Sequence, residues 1–209
     1  MSTDMLALSS LTDSTVVDQA VSLLLEPSPI LHSKLTPAIT QHIKSSGAPQ
    51  SYASLVDMCA EEIGGWSLGD KAAFLGGHPL IGEVKNLSAL SAKEQGGKTV
   101  KTPEIVLKRL SHLNKLYSRI YPGLPYITFV AGRPRSAIVK EMEKALELPE
   151  SPEPIPDDWS QVEQPALDSE ETLARVKEWG GAEWQREAER GLGDIWLIAK
   201  SRLQGLGLK

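Results

Sequence analysis

The chain has 209 residues, 41% of them hydrophobic and 23% charged, enough for one ordinary globular domain with a sizeable core. Its 22 Lys and Arg stand against 27 Asp and Glu, and the net charge of −5 argues against a protein that neutralises a row of nucleic-acid phosphates or docks on a membrane through a polybasic patch. The single cysteine, Cys59, excludes an internal disulfide and a CxxC zinc site and fits a reducing compartment.

No apolar run approaches the roughly 20 residues that span a bilayer, and the first ten residues lack a basic stretch followed by an apolar one. The expectation is a soluble, unsecreted protein of the cytoplasm or peroxisome. The terminal Leu206-Gly207-Leu208-Lys209 is not the Ser-Lys-Leu type of peroxisomal address and neither supports nor excludes that destination.

Helical spacing dominates the chain. Val16, Val17, Ala20, Val21 and Leu24 form an apolar stripe behind the candidate caps Asp13 and Ser14, and Pro27 and Pro29 stop it. Pro37 opens a short piece through Ile39 and Ile43 that ends at Ser45-Ser46-Gly47. Ser51 caps a third helix whose predicted inner face is Leu55, Met58, Cys59 and Ile63, closed by Gly64-Gly65. Asp70 is the predicted cap of a short turn from Lys71 to Leu75, which Gly76-Gly77 terminates.

Further on, Thr102-Pro103-Glu104 reads as a cap, a first-position proline and a first-turn acid. Val106, Leu110, Leu113, Tyr117 and Ile120 follow at spacings of three and four. Ser136 is the predicted start of another helix, through Ile138, Val139, Met142 and Leu146. Tyr126-Ile127-Thr128-Phe129-Val130 has β propensity but no partner strand, and reads as an extended, buried connector. Residues 149–168 hold five prolines among many acids, a composition expected of a long wrapping loop or a mobile insert. A final long helix is marked by Trp184, Ala188, Leu192, Ile195, Ala199, Arg202, Leu203 and Leu206. The predicted architecture is all-α, a single compact multi-helix domain over residues 1–209 with the proline-rich acidic insert before the last helix.

The usual dinucleotide, P-loop, zincin and nucleophile-elbow patterns are absent. Of the four histidines, His78 has the most unusual context, Gly76-Gly77-His78-Pro79-Leu80-Ile81-Gly82. Pro79 pushes His78 out of the helical region, and the glycines let another group approach the main chain. Its imidazole is either aimed into a cleft or exposed on a helix-stop loop. If Ser91-Ala92-Lys93-Glu94-Gln95 is helical, Ser91, Glu94 and Gln95 share one face; equally, Ser91 and Glu94 form a capping box. A metal site built from His78, Glu94 and His112 matches no usual ligand spacing.

The ordered set of these pieces resembles the OHCU decarboxylase family, the 2-oxo-4-hydroxy-4-carboxy-5-ureidoimidazoline decarboxylases of urate breakdown. The similarity starts at Leu23-Leu24-Leu25-Glu26-Pro27-Ser28-Pro29 and takes in His78-Pro79-Leu80-Ile81-Gly82-Glu83 and Ser91-Ala92-Lys93-Glu94-Gln95. It continues through Leu113-Asn114-Lys115-Leu116-Tyr117 and Gly123-Leu124-Pro125-Tyr126-Ile127 to Ile198-Ala199-Lys200-Ser201-Arg202-Leu203. The resemblance implies an all-α enzyme without cofactor or metal, usually a homodimer, that decarboxylates a small ureidoimidazoline to S-allantoin.

It assigns the catalytic histidine to His78; Glu94, carried over with the substrate-binding positions, is expected to orient His78 or to accept from the ureido N–H groups. It assigns substrate binding to Pro79, Ser91, Gln95, Tyr126, Ile127, Thr128, Phe129 and Val130. Arg202 is either a planar fork for a carboxylate or for Glu94, or one half of a surface salt bridge. The chain departs from the family at Pro122-Gly123-Leu124-Pro125-Tyr126, at Leu80, and in the insert at 149–168. The alternative from another class is a catalytically silent helical interaction module whose partner-binding arm is the proline-rich segment.

Overall fold

The computed structural model describes residues 8–83, 90 and 102–208. Among these the architecture is all-α, with no strand, and no helix is long and apolar enough to cross a membrane. Contacts divide the chain into two compact units, one formed by the residues up to His78 together with those from Leu192 onward, the other by Pro79–Gly191.

The first unit opens with a 3-10 turn, Leu8–Thr12, and α1, Ser14–Leu25. Asp13 caps α1 as predicted, its carboxylate accepting from the Thr15 N–H at 2.7 Å. Val17, Ala20, Val21, Leu24 and Leu25 form its buried face. Pro27 lies in the break at 26–28 that ends α1, whereas Pro29, expected to help stop it, already belongs to the next helical run. A π-helical turn, Leu31–Leu35, runs directly into α2, Thr36–Ser46, because the buried Ser28 hydroxyl accepts from the Leu31 N–H at 3.3 Å and so restarts the chain.

Ser51 caps α3, Tyr52–Gly64, as expected, and Leu55, Cys59 and Ile63 are buried. Tyr52 and Val56 complete that face, whereas Met58 is half-buried at its edge. Burial pushes the Cys59 thiol up, which keeps it un-ionised. The next helix, α4, is Leu68–Leu75, and its cap is Ser67 rather than Asp70. The Ser67 hydroxyl accepts from the Asp70 N–H at 3.2 Å while donating to the Asp70 carboxylate at 2.7 Å, so Asp70 sits inside the first turn.

In the second unit, α5, Glu104–Ile120, buries the predicted stripe Val106, Leu110, Leu113, Tyr117 and Ile120. Pro103 itself is the N-cap of α5, one position later than expected, and Thr102 instead accepts from Arg135. The following helix, α6, is Arg135–Ala145, with Pro134 as its N-cap, and Ile138, Val139 and Met142 are buried. Tyr126, Ile127, Thr128 and Val130 are buried in a non-helical stretch, as the connector reading required.

The proline-rich segment is a wrapping loop anchored on α5 and α6. Arg109 of α5 is buried and donates to the Val162 and Gln164 carbonyls, and the His112 ring donates from Nε2 to the Pro165 carbonyl at 2.9 Å. Arg109 also pairs at 2.8 Å with Glu143 of α6, which has no exposure, and Glu143 accepts from both the main chain and the hydroxyl of Ser151. A short helix, α7, Glu170–Leu173, follows. The last helix, α8, is Ala182–Gly205, with residues up to Gly191 in the second unit and the rest in the first.

Candidate active site

The first unit contains His78. Gly76 and Gly77 end α4, and the main chain turns at once, the His78 N–H bonding the Leu75 carbonyl at 3.0 Å. Gly77 is needed for packing, since a Cβ there would lie 2.5 Å from the Ser28 Cβ. The imidazole that follows is 7% exposed. It meets Phe74 edge-on at 5.5 Å between ring centroids, and Phe74 in turn stacks on Trp196 of α8 at 6.3 Å and meets the edge of Trp66 at 6.2 Å. Of the two placements considered for His78, the exposed one is excluded.

The imidazole's hydrogen bonding determines its tautomer. Nδ1 lies 3.4 Å from the Phe74 carbonyl, and a carbonyl only accepts, so Nδ1 carries the proton in this bond. Nε2 is buried and has no hydrogen-bond partner among the described residues. Burial, aided by the Arg202 charge, pushes the imidazole pKa down to about 4 against the opposing effects of Glu26 and the Phe74 carbonyl. The ring is therefore neutral near pH 7, with a bare Nε2 lone pair.

Arg202, on the last turn of α8, is 4% exposed and Glu26 is 5% exposed. Their side chains pair at 2.6 Å, and the same guanidinium donates to the Leu23 and Leu24 carbonyls at 3.4 and 3.2 Å. Those carbonyls lie in the last turn of α1, where cations are favoured. The surface salt-bridge option for Arg202 is thereby excluded; the pair is internal. Glu26, which has a positive φ of 67°, lies in the quoted Leu23-to-Pro29 motif but was not singled out as a functional residue. The signal was present: a carboxylate directly following an apolar helix stripe and preceding a proline is poorly placed for solvent unless the chain turns outward.

The second unit holds the connector. The Tyr126 hydroxyl donates to Glu141 at 2.7 Å, and Arg190 lies 4.9 Å from the Tyr126 ring centroid. Arg190 donates to the Ile127 carbonyl at 2.8 Å and pairs with Glu187, which also accepts from Tyr117. Burial raises the Tyr126 and Tyr117 hydroxyl pKa values, and the neighbouring carboxylates add to it, so both phenols stay protonated.

Arg133 is a second clamp. It donates to the Thr128 hydroxyl at 3.2 Å, to the Phe129 carbonyl at 2.6 Å and to the Val130 carbonyl at 3.0 Å, and pairs with Glu141. The main-chain groups of this non-helical stretch are thus held by side chains and need no neighbouring strand. Arg133, Glu141, Glu187 and Arg190 were not foreseen. Their sequence signal is weak, because each lies among other charges of no fixed spacing.

Pro79 opens the second unit, half-buried, and nearby the Glu83 carboxylate accepts from the Leu80 N–H at 3.1 Å. Asn114 donates to the Ile81 carbonyl at 2.8 Å. Ser91, Glu94 and Gln95 lie outside the described residues, and so does the proposed facing of His78 by Glu94. Among the described residues no group of three or more His, Cys, Asp and Glu could hold a metal ion. His112, one of the three residues of the metal alternative, is tied to the Pro165 carbonyl, and burial lowers its pKa.

The family model described as OHCU decarboxylase matches residues 10–154. No curated protein matches the chain.

Proposed function

The chain belongs to the OHCU decarboxylase family, and on that premise we propose that it converts 2-oxo-4-hydroxy-4-carboxy-5-ureidoimidazoline to S-allantoin and CO2 without a cofactor. The family makes it a carboxy-lyase of urate degradation with a small ureidoimidazoline substrate. The substrate provides its own electron sink. The ring carbon that carries the carboxylate adjoins a C=N bond, so the pair released as the C–C bond breaks moves into the ring and ends on nitrogen.

The residues of this chain then have three tasks: to hold the carboxylate out of the ring plane, to stabilise the developing charge, and to place a proton on one face of the neighbouring carbon. His78 is the group assigned to proton transfer. A neutral imidazole has no proton to spare on Nε2, so it acts first as a base, taking the proton of the ring hydroxyl as that oxygen becomes a carbonyl. It then returns this proton to the carbon bearing the ureido group, which sets the S configuration. A solvent proton on the ring nitrogen completes the balance.

Glu94 orients His78 or accepts from the ureido N–H groups, and Ser91 and Gln95 bind the heteroatoms of the ring and the ureido arm. Pro79 and the segment Tyr126 to Val130 shape the substrate's place. Arg202 acts through Glu26 and the end of α1, or on the substrate carboxylate. Residues 1–209 work as one catalytic domain, assembled as a homodimer, in the cytoplasm or the peroxisome.

The observation that carries this reading is the buried Nε2 of a neutral His78, without a hydrogen-bond partner among the described residues, whose Nδ1 is already committed. The test generates the unstable intermediate from urate enzymatically, adds the protein and follows the circular dichroism of S-allantoin. Accelerated, single-handed product that is lost with His78→Asn supports the reading. Racemic product at the spontaneous rate overturns it in favour of the silent interaction module.

A further inference from the structure

In the second unit, where α5 begins and α6 begins beside the wrapping loop, there is a cavity of about 420 Å³. That volume is within the range of small-molecule sites. Its lining is partly apolar, with Val106, Val139 and Ile155, and partly charged, with Arg133, Arg135, Lys140 and Glu153. The charges on the wall are unequally used. Arg133 is paired with Glu141 and Lys140 with Glu153. Arg135 has neither kind of partner among the described residues: its Nη1 donates to the neutral Thr102 hydroxyl at 3.1 Å, and its Nε is buried with nothing to donate to.

A guanidinium that has lost water at Nε and gained no acceptor is a costly arrangement unless something else completes it. Thr102 takes Nη1 and Nε is closed off, so Nη2 is the donor left for a ligand. A charged N–H makes a short, strong hydrogen bond to a carboxylate oxygen. With the other two cations neutralised by glutamates, the wall carries one uncompensated positive charge and suits a monoanion. The apolar part of the lining suits a ligand whose remainder is hydrocarbon-like or aromatic. Burial lowers the Arg135 pKa, consistent with a charge stripped of solvent and not yet compensated.

We propose that this cavity is a binding site for a small organic monocarboxylate with an apolar body, its carboxylate on the free Nη2 of Arg135 and its body against Val106, Val139 and Ile155. The site is independent of the decarboxylase reading, and its test reads binding and not turnover.

The full chain is titrated by calorimetry with 4-phenylbutyrate, with the isosteric amide 4-phenylbutyramide, and with inorganic phosphate. Saturable binding of the acid is expected, at least tenfold tighter than the amide and not displaced by an equal concentration of phosphate. Arg135→Gln should weaken the acid at least tenfold, and Val139→Trp, which fills the cavity, should abolish it. If Arg135→Gln loses its helical circular dichroism, Arg135→Lys replaces it: the charge is kept but the fork is lost, and a several-fold weakening is expected. The proposal is overturned by absent binding of the acid, by equal affinity for acid and amide, by displacement with phosphate, or by binding that the Arg135 variants leave unchanged.

Discussion

Replacing Gly77 by alanine tests how the His78 turn is held. The added Cβ would stand 2.5 Å from the Ser28 Cβ, 3.0 Å from the Ser28 hydroxyl oxygen and 3.2 Å from the Phe74 carbonyl. Carbon atoms in good contact sit about 3.5–4.0 Å apart, so the overlap with Ser28 is on the order of 1 Å. Neither atom is at the end of a flexible side chain. Both are fixed to the backbone, and relief requires the segment after α1 and the end of α4 to move apart. Overpacking of this kind costs about 1–3 kcal/mol. The residue displaced next is His78, and a misplacement of about 1 Å in a catalytic group can cost roughly 100-fold in rate.

Urea unfolding followed by circular dichroism measures the first effect, and stereospecific allantoin formation the second. The two atoms of Ser28 separate the causes. Ser28→Gly removes the clashing Cβ, and on that background Gly77→Ala should regain at least half of the lost stability. Ser28→Ala keeps the Cβ and should give little relief. A Gly77→Ala protein with native stability and turnover, or equal rescue by both Ser28 variants, would refute this account of the turn.

Other outcomes follow from the buried charges. Arg202→Met leaves Glu26 buried without its partner and is expected to cost about 3–5 kcal/mol, part of which returns in the double variant with Glu26→Gln; thermal unfolding reads both, and a loss no larger than that of an exposed pair would contradict the internal pairing. Arg109→Met removes the donor that holds the Val162 and Gln164 carbonyls, so limited proteolysis should cut within 149–168 well before the rest of the chain; uniform resistance would show that the loop is held by other contacts.

For His78, the folded pKa of about 4 lies below the ordinary 6.5. Between those values the unfolded chain binds a proton that the folded chain does not, so this group's effect on stability rises with pH through the window. Falling from pH 6.5 towards 4 therefore removes up to about 3 kcal/mol, and nothing is lost above 6.5. Unfolding of wild type and His78→Asn at pH 7 and pH 5 should show a steeper dependence in the wild type; equal slopes would count against a neutral buried ring.

The helices were legible where apolar spacing and a cap agreed. Asp13 and Ser51 cap α1 and α3 as read, because each directly precedes a stripe that repeats at three and four residues. Where two capping residues stood three apart, the spacing could not rank them, and Ser67 rather than Asp70 took the position because its hydroxyl reaches the free Asp70 N–H of the first turn. His78 was legible from its glycines and proline. That the ring is enclosed by Phe74, with Trp196 stacked behind Phe74, was not, since Trp196 lies more than a hundred residues along the chain.

By itself the sequence determined that this chain is helical, where most of its helices start and stop, which histidine is distinctive and which family it resembles. These depend on interactions within a few residues, or on ordered motifs that are visible without coordinates. Only the tertiary structure decided the uses of the buried charges. Arg109 meets Glu143 34 residues away and Arg202 meets Glu26 176 residues away. A charged residue on an apolar helix face signals that a partner must exist, because an unpaired buried charge is too costly, but its spacing carries no information about which distant segment brings that partner.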